Sequence, residues 1–209
     1  MAIIAFALLT IRASAQKPQS YWSIGFNPLS LAESMSSIGP SVAYRLSPAI
    51  ELWAEGSIIF NNLYKMEDWK NLRGYRFIFQ PRFYVGRSKK IFITPEFRLK
   101  HYSYNSTGTF INSNTVDTLD NYAHKASQTL IGGAFVAGTQ LNLSKRKNFL
   151  LEVTAGIGAK QRNIKRKSIP SGYEYFLQTG GFGLKPHYEY DNDGTPYFPL
   201  GFRLVWKLK

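Results

Sequence analysis

His101 and Ser103 carry the most specific chemistry this sequence offers. Residues two apart share a face of an extended chain, so the pair sets an imidazole base beside a hydroxyl that it could activate toward an ester. Such a relay needs a carboxylate to orient the imidazole. The candidates, Asp117 and Asp120, fall in a segment that reads as loop, so the pair reads as a polar strand end and no catalytic site is expected. His124 and His187 stand outside any metal-ligand spacing and read as surface residues. Asp191-Asn192-Asp193-Gly194 starts like a calcium loop, but Leu200 occupies the place of the bidentate Glu, which leaves a turn. Gly180-Gly181-Phe182-Gly183 lacks the strand and helix that flank a phosphate-binding loop. With no cysteine there are no thiolate ligands and no disulfides. Neither a metal nor a cofactor is expected.

A second set of chemical groups is ionic. Glu51, Glu55, Glu96 and Glu152 recur on the same alternating positions as Arg45, Arg76, Arg82, Arg98, Lys100 and Arg203, which predicts one shared face. A denser basic run follows at Lys160, Arg162, Lys165, Arg166 and Lys167. Across the chain, 26 Lys and Arg against 13 Asp and Glu give a formal net charge of +13. That excess suits nucleic acid or anionic lipid equally, so the elements that carry the charges must choose.

Those elements are period-two strands. Tyr75, Phe77, Phe79, Pro81, Phe83 and Val85 alternate with Arg76, Ile78, Gln80, Arg82 and Tyr84. After the turn Gly86-Arg87-Ser88-Lys89-Lys90, a second arm sets Ile91, Ile93, Pro95, Phe97 and Leu99 against Phe92, Thr94, Glu96, Arg98 and Lys100. This is a long antiparallel hairpin. The pattern recurs at 22–26, 41–46, 50–60, 131–143, 149–160 and 198–208, about eight strands in all. Short connections at 47–48, 87–90 and 144–148 alternate with longer polar ones at 61–73, 104–124 and 162–196; only the first outer connection, 32–37, is short.

Eight strands enclose an interior barely wide enough for side chains. The apolar face carries Phe, Tyr, Trp, Leu and Ile in nearly every register, whereas the ionic face is rich in Gly, Ala, Ser and Thr, so the bulk must point outward. Only lipid suits such an exterior, and about eleven tilted residues per strand span the roughly 25 Å apolar band of an outer membrane. The fold expected is all-β: an eight-stranded antiparallel up-and-down transmembrane β-barrel with short periplasmic turns and long outer loops. A soluble lipocalin-like sheet with an apolar interior is the alternative. Residues 2–11 form an apolar run followed by Ala13-Ser14-Ala15, the small-x-small form cut by signal peptidase. Residues 1–15 are therefore expected to be a secretory signal and 16–209 the barrel.

The final strand, with Phe202, Leu204, Trp206 and Leu208, resembles the C-terminal assembly signal of outer-membrane barrels, although Lys209 stands where that signal usually has an aromatic residue. The chain as a whole resembles small OmpA/OmpX-like barrels. It is similar in particular to a family of such barrels of unknown function, through Phe26-Asn27-Pro28-Leu29, Pro95-Glu96-Phe97-Arg98 and Glu152-Val153-Thr154-Ala155-Gly156-Ile157-Gly158-Ala159-Lys160. The resemblance implies handling by the barrel-assembly machinery. His101-Tyr102-Ser103 resembles the His-x-Ser motif of barrel-type lipid A deacylases, but it falls on the fifth strand instead of near the C-terminus.

The expected function is accordingly non-enzymatic: a monomeric structural or surface-interaction barrel with no nucleic-acid partner. The ionic face becomes a lumen network that pairs and plugs. The competing readings are a small channel with a charged lumen and a lipid A-modifying enzyme using His101 and Ser103. The basic run at Lys160, Arg162, Lys165, Arg166 and Lys167 is expected to meet lipopolysaccharide phosphates. Tyr173, Tyr175, Phe176, Tyr188 and Tyr190 give the last loop aromatic contact surface.

Overall fold

The computed structural model describes residues 20–31, 35–62, 69–112, 114–115, 117–175 and 192–208. The expected signal at 1–15, the segment 180–183, Phe176, His187, Tyr188 and Tyr190 lie outside them. In chain order the elements are β1 (Tyr21–Phe26), a 3-10 turn (Pro28–Leu31), β2 (Met35–Ile38), β3 (Pro40–Ser47), β4 (Ile50–Asn62), β5 (Lys70–Val85), β6 (Ile91–Asn112), β7 (Thr118–Asn142), β8 (Phe149–Lys167), β9 (Tyr173–Tyr175), β10 (Asn192–Tyr197) and β11 (Leu200–Lys207). No α-helix occurs among the described residues.

Eight of these strands form a closed antiparallel ring, β1-β3-β4-β5-β6-β7-β8-β11, in which β11 pairs back onto β1. The eight strands read from alternation are these eight. The ring closes through Ile24 opposite Trp206 and Phe26 opposite Leu204. Three shorter strands extend it: β2 continues beside β4, β10 beside β8, and β9 lies against the end of β6.

Tight turns gather at one end. Ser47 Oγ accepts from the amides of Ala49 and Ile50, both at 3.2 Å, and so fixes the β3–β4 reversal. The β5–β6 turn uses positive φ at Gly86 (73°) and Lys89 (50°), and the β7–β8 turn at Lys147 (55°). The same end holds the start of β1 and the finish of β11, where the Leu208 amide donates to the Trp22 carbonyl at 2.8 Å.

At the other end the strands run further than their apolar pattern. Segments 61–73, 104–124 and 162–196 read as loops, yet β6 extends to Asn112, β7 begins at Thr118 and β8 continues to Lys167. Tyr104 faces Ala126 and Ser106 faces His124 in an unbroken ladder. The outward residues here, such as Asn105 and Thr107, are polar, so the alternation of apolar with ionic fades while the pairing persists. Met35–Ile38 and Asn192–Gly194 are likewise strand where a connection and a turn were expected, with Asp193 opposite Arg162.

Burial follows the pleat. On β4, Glu51, Trp53, Glu55, Ser57 and Ile59 are buried, while Leu52, Ile58 and Phe60 are exposed. On β5, Arg76, Ile78, Gln80, Arg82 and Tyr84 are buried, while Tyr75, Phe77, Phe83 and Val85 are exposed. The apolar side chains therefore line the outside of the ring, up to 77% exposure at Phe135, and the ionic ones fill the inside. The inside also holds two small apolar clusters, Ala43-Trp53-Ile78 and, toward the far end, Ile59-Leu72-Tyr102-Tyr104-Ala126.

Candidate functional site

Three strands, β4, β5 and β8, meet at Arg82. Its Nη1 donates to Glu51 Oε1 at 2.9 Å and to Glu152 Oε2 at 3.0 Å, and its Nη2 to Glu152 Oε1 at 2.7 Å. Its Nε donates to Gln80 Oε1 at 3.1 Å. Glu51 opposes Arg82 directly across the β4–β5 ladder, whereas Glu152 reaches it across the inside of the ring from β8. All three groups are almost wholly shielded, with side-chain exposures of 1% for Arg82, 3% for Glu51 and 0% for Glu152.

Each carboxylate then recruits further donors. Glu51 also accepts from Arg45 Nη1 at 3.3 Å and from the Tyr84 hydroxyl at 3.0 Å. Glu152 accepts from Arg203 Nη1 at 3.0 Å and Gln140 Nε2 at 3.3 Å. Glu55 accepts from Arg76 Nη2 at 2.7 Å and Ser57 Oγ at 3.1 Å, and its second oxygen lies 3.8 Å from Arg203 Nε. Glu96 accepts from Gln80 Nε2 at 2.6 Å, Arg98 Nε at 3.2 Å and the Tyr197 hydroxyl at 3.3 Å. Trp53 lies between two guanidiniums, 4.8 Å from that of Arg82 and 4.1 Å from that of Arg203. Such contacts compensate charges that would be costly to bury alone.

At least nine of the ten ionic residues expected to share a face are thus joined, through one connected set of hydrogen bonds and ion pairs. Lys100 faces inward with them, its ammonium 5.8 Å from the Tyr102 ring. The sequence reading missed Gln80, Tyr84, Gln140 and Tyr197 as members. Gln80, Tyr84 and Gln140 sit on the same alternating positions as the charges, and that was the available signal. Chemically the set is a cross-brace: each of its four carboxylates accepts from at least one guanidinium, and its hydroxyls, on Ser57, Tyr84 and Tyr197, donate to those same carboxylates.

The basic run does not act as a unit, because strand β8 sends alternate residues to opposite sides. Arg162 is buried and Lys160 and Arg166 are half-buried on the inner face, while Lys165 and Lys167 are exposed on the outer face. Lys125 of β7, opposite Lys167, joins those two outside. Arg166 instead lies over the Tyr175 ring at 4.0 Å.

His101 and Ser103 do share the outer face of β6. The imidazole is engaged elsewhere: its Nδ1 is 2.9 Å from Thr129 Oγ1 and its ring lies beside Tyr75. No hydrogen bond links it to Ser103 and no carboxylate contacts it among the described residues. Of the residues expected to form an assembly signal, Phe202, Trp206 and Leu208 are exposed, and Trp206 packs on Phe149 with ring centroids 5.2 Å apart. No protein-family model, curated protein or solved structure matches this chain.

His124 departs from the surface position expected for it. The β6–β7 extension buries it to 5% exposure between Phe110, at 5.1 Å, and Tyr175, at 6.0 Å. Burial holds its pKa below the usual imidazole value, outweighing the opposing backbone hydrogen bond to Tyr122, and the Arg166 guanidinium adds a smaller effect in the same downward direction. Tyr173 tethers the same region by donating its hydroxyl to Asp117 Oδ2 at 2.7 Å.

Proposed function

We propose that the chain is a small outer-membrane β-barrel of OmpA/OmpX-like type, exported by a cleaved signal, without catalytic activity, and acting as a structural or surface-interaction protein through its outer end. One observation carries this reading: a ring of eight strands that buries Arg and Glu while exposing Phe77, Phe83, Phe97, Phe135 and Ile157. In water that arrangement would expose an apolar patch far beyond what monomers tolerate; in lipid it is the stable one. Outward apolar residues run from Tyr75 to Val85 on β5, and those 11 residues at about 3.4 Å each, tilted by about 40°, cover roughly 25 Å. Aromatic residues mark both margins, Trp22, Tyr44, Phe149 and Trp206 at the turn end and Phe60 and Tyr75 at the other.

Lys125, Lys165 and Lys167, outward and beyond the apolar band, are the residues we assign to lipopolysaccharide phosphates, in place of the undivided run. The cross-braced interior favours a closed plug over a channel. Membrane fractionation followed by gel migration with and without boiling tests the reading: the protein should fractionate with the outer membrane and migrate differently when unheated. A mature chain that stays in aqueous solution without detergent would sink it.

A further inference from the structure

The two longer turns at the tight end carry Arg87, Lys89, Lys90, Lys145, Arg146 and Lys147, all exposed, and neither turn contains an Asp or Glu. No side-chain ion pair engages any of these six among the described residues. Gly86–Lys90 follows immediately on the outward Val85 and precedes the outward Ile91; Lys145 to Lys147 lie between the outward Leu143 and Phe149. Lys90 adjoins the band directly, and a single residue separates Arg87, Lys145 and Lys147 from its last apolar positions. A band bounded by Val85, Ile91 and Leu143 fixes these ammonium and guanidinium groups at headgroup depth, within reach of phosphates. Trp22 and Trp206 stand at the same margin, Trp206 directly opposite Phe149, one residue beyond the β7–β8 turn.

We propose that this end of the ring is a docking surface for anionic phospholipid headgroups of the leaflet it faces, held by Arg87, Lys89, Lys90, Lys145, Arg146 and Lys147. The proposal rests on the membrane reading above. It concerns the end opposite Lys125, Lys165 and Lys167, and a lipid of different chemistry from lipopolysaccharide. Lipid is favoured over an acidic protein because the cations closely border the apolar band with aromatic side chains beside them.

The test uses the full chain reconstituted in vesicles of phosphatidylcholine and phosphatidylglycerol, with one or the other brominated, and reads quenching of tryptophan fluorescence, to which Trp22 and Trp206 contribute from the turn end. Brominated phosphatidylglycerol should quench more strongly than brominated phosphatidylcholine, and added salt should weaken the preference. Replacing Arg87, Lys90, Lys145 and Arg146 by Gln, and Lys89 and Lys147, which have positive φ, by Asn should abolish it; at about fivefold per cation, the six together should shift relative affinity by about four orders of magnitude. The milder pair Arg87→Gln with Arg146→Gln should lower it partway and guards against misfolding of the larger variant. Lys125→Gln/Lys165→Gln/Lys167→Gln should leave it intact. Equal quenching by both lipids in the wild type, or a preference that survives the six replacements, would overturn the docking surface alone. Absence of quenching by either lipid would overturn the membrane reading beneath it.

Discussion

Glu152 is the residue on which the interior turns, because it accepts from both Arg82 and Arg203 and is itself fully shielded. Glu152→Gln leaves two buried guanidiniums competing for the remaining carboxylates, and removal of one member of such a set costs about 3–5 kcal/mol. Urea titration in detergent should show the midpoint fall accordingly, whereas Glu152 and Arg203 replaced together by apolar residues of similar size should recover part of the loss. His124 makes a separate prediction. Its folded pKa is depressed, so the unfolded chain takes up the proton first; the stabilisation is complete above the unfolded value of about 6.5 and declines as pH falls below it. Protection factors at Phe110 and Tyr175, referred to the intrinsic exchange rate at each pH, should therefore fall between neutral and mildly acidic pH, and His124→Phe should flatten that dependence. The burial of His124 was not legible in the sequence. Its partners come from two other strands, Phe110 of β6 and Tyr175 of β9, and no spacing along one strand reveals a ladder extended past its apolar segment.

Strand alternation explains both what could be read and what could not. Where the outward side is apolar, as from Tyr75 to Val85, period two separates faces without ambiguity, and the ring strands and nearly all of the ionic set follow from it. Where both sides are polar, as in 104–112 and 118–128, pattern and loop look alike, and only the backbone ladder tells them apart. The basic run divides for a related reason: density along the chain says nothing about sidedness, and β8 sends its residues to two faces. At this scale glycines supply a test. A Cβ on Gly158 would come within 2.3 Å of the Gly133 carbonyl oxygen and 2.6 Å of Ala134 Cβ. Gly158→Ala must push β7 and β8 apart and should destabilise by about 1–3 kcal/mol. Gly56→Ala meets nothing within 4 Å and should be neutral or slightly stabilising, by about 0.5 kcal/mol; equal effects in a thermal melt would refute the β7–β8 packing.

For the whole molecule the decisive contrast is between the two solvents that the exterior could face. Phe135 is 77% exposed; on a watery surface Phe135→Arg would change stability by no more than about 0.5 kcal/mol, but in mid-bilayer it should cost about 2–4 kcal/mol. Folding equilibria in lipid vesicles measure the difference directly. Planar-bilayer recordings supply the companion experiment: with Arg82, Glu51 and Glu152 bridging the interior, the wild type should give no sustained current, and Glu152→Gln is the variant in which leakage should first appear.

Closure of the ring falls to its first and last strands, which meet through Ile24 and Trp206. Until the ribosome has delivered β11, both borders of the nascent sheet present unpaired amides and carbonyls beside a greasy exterior, an invitation to stick to neighbours. A version rewired to join Lys207 to Tyr21 and opened at the β3–β4 turn should shift that vulnerable seam without altering the finished shape.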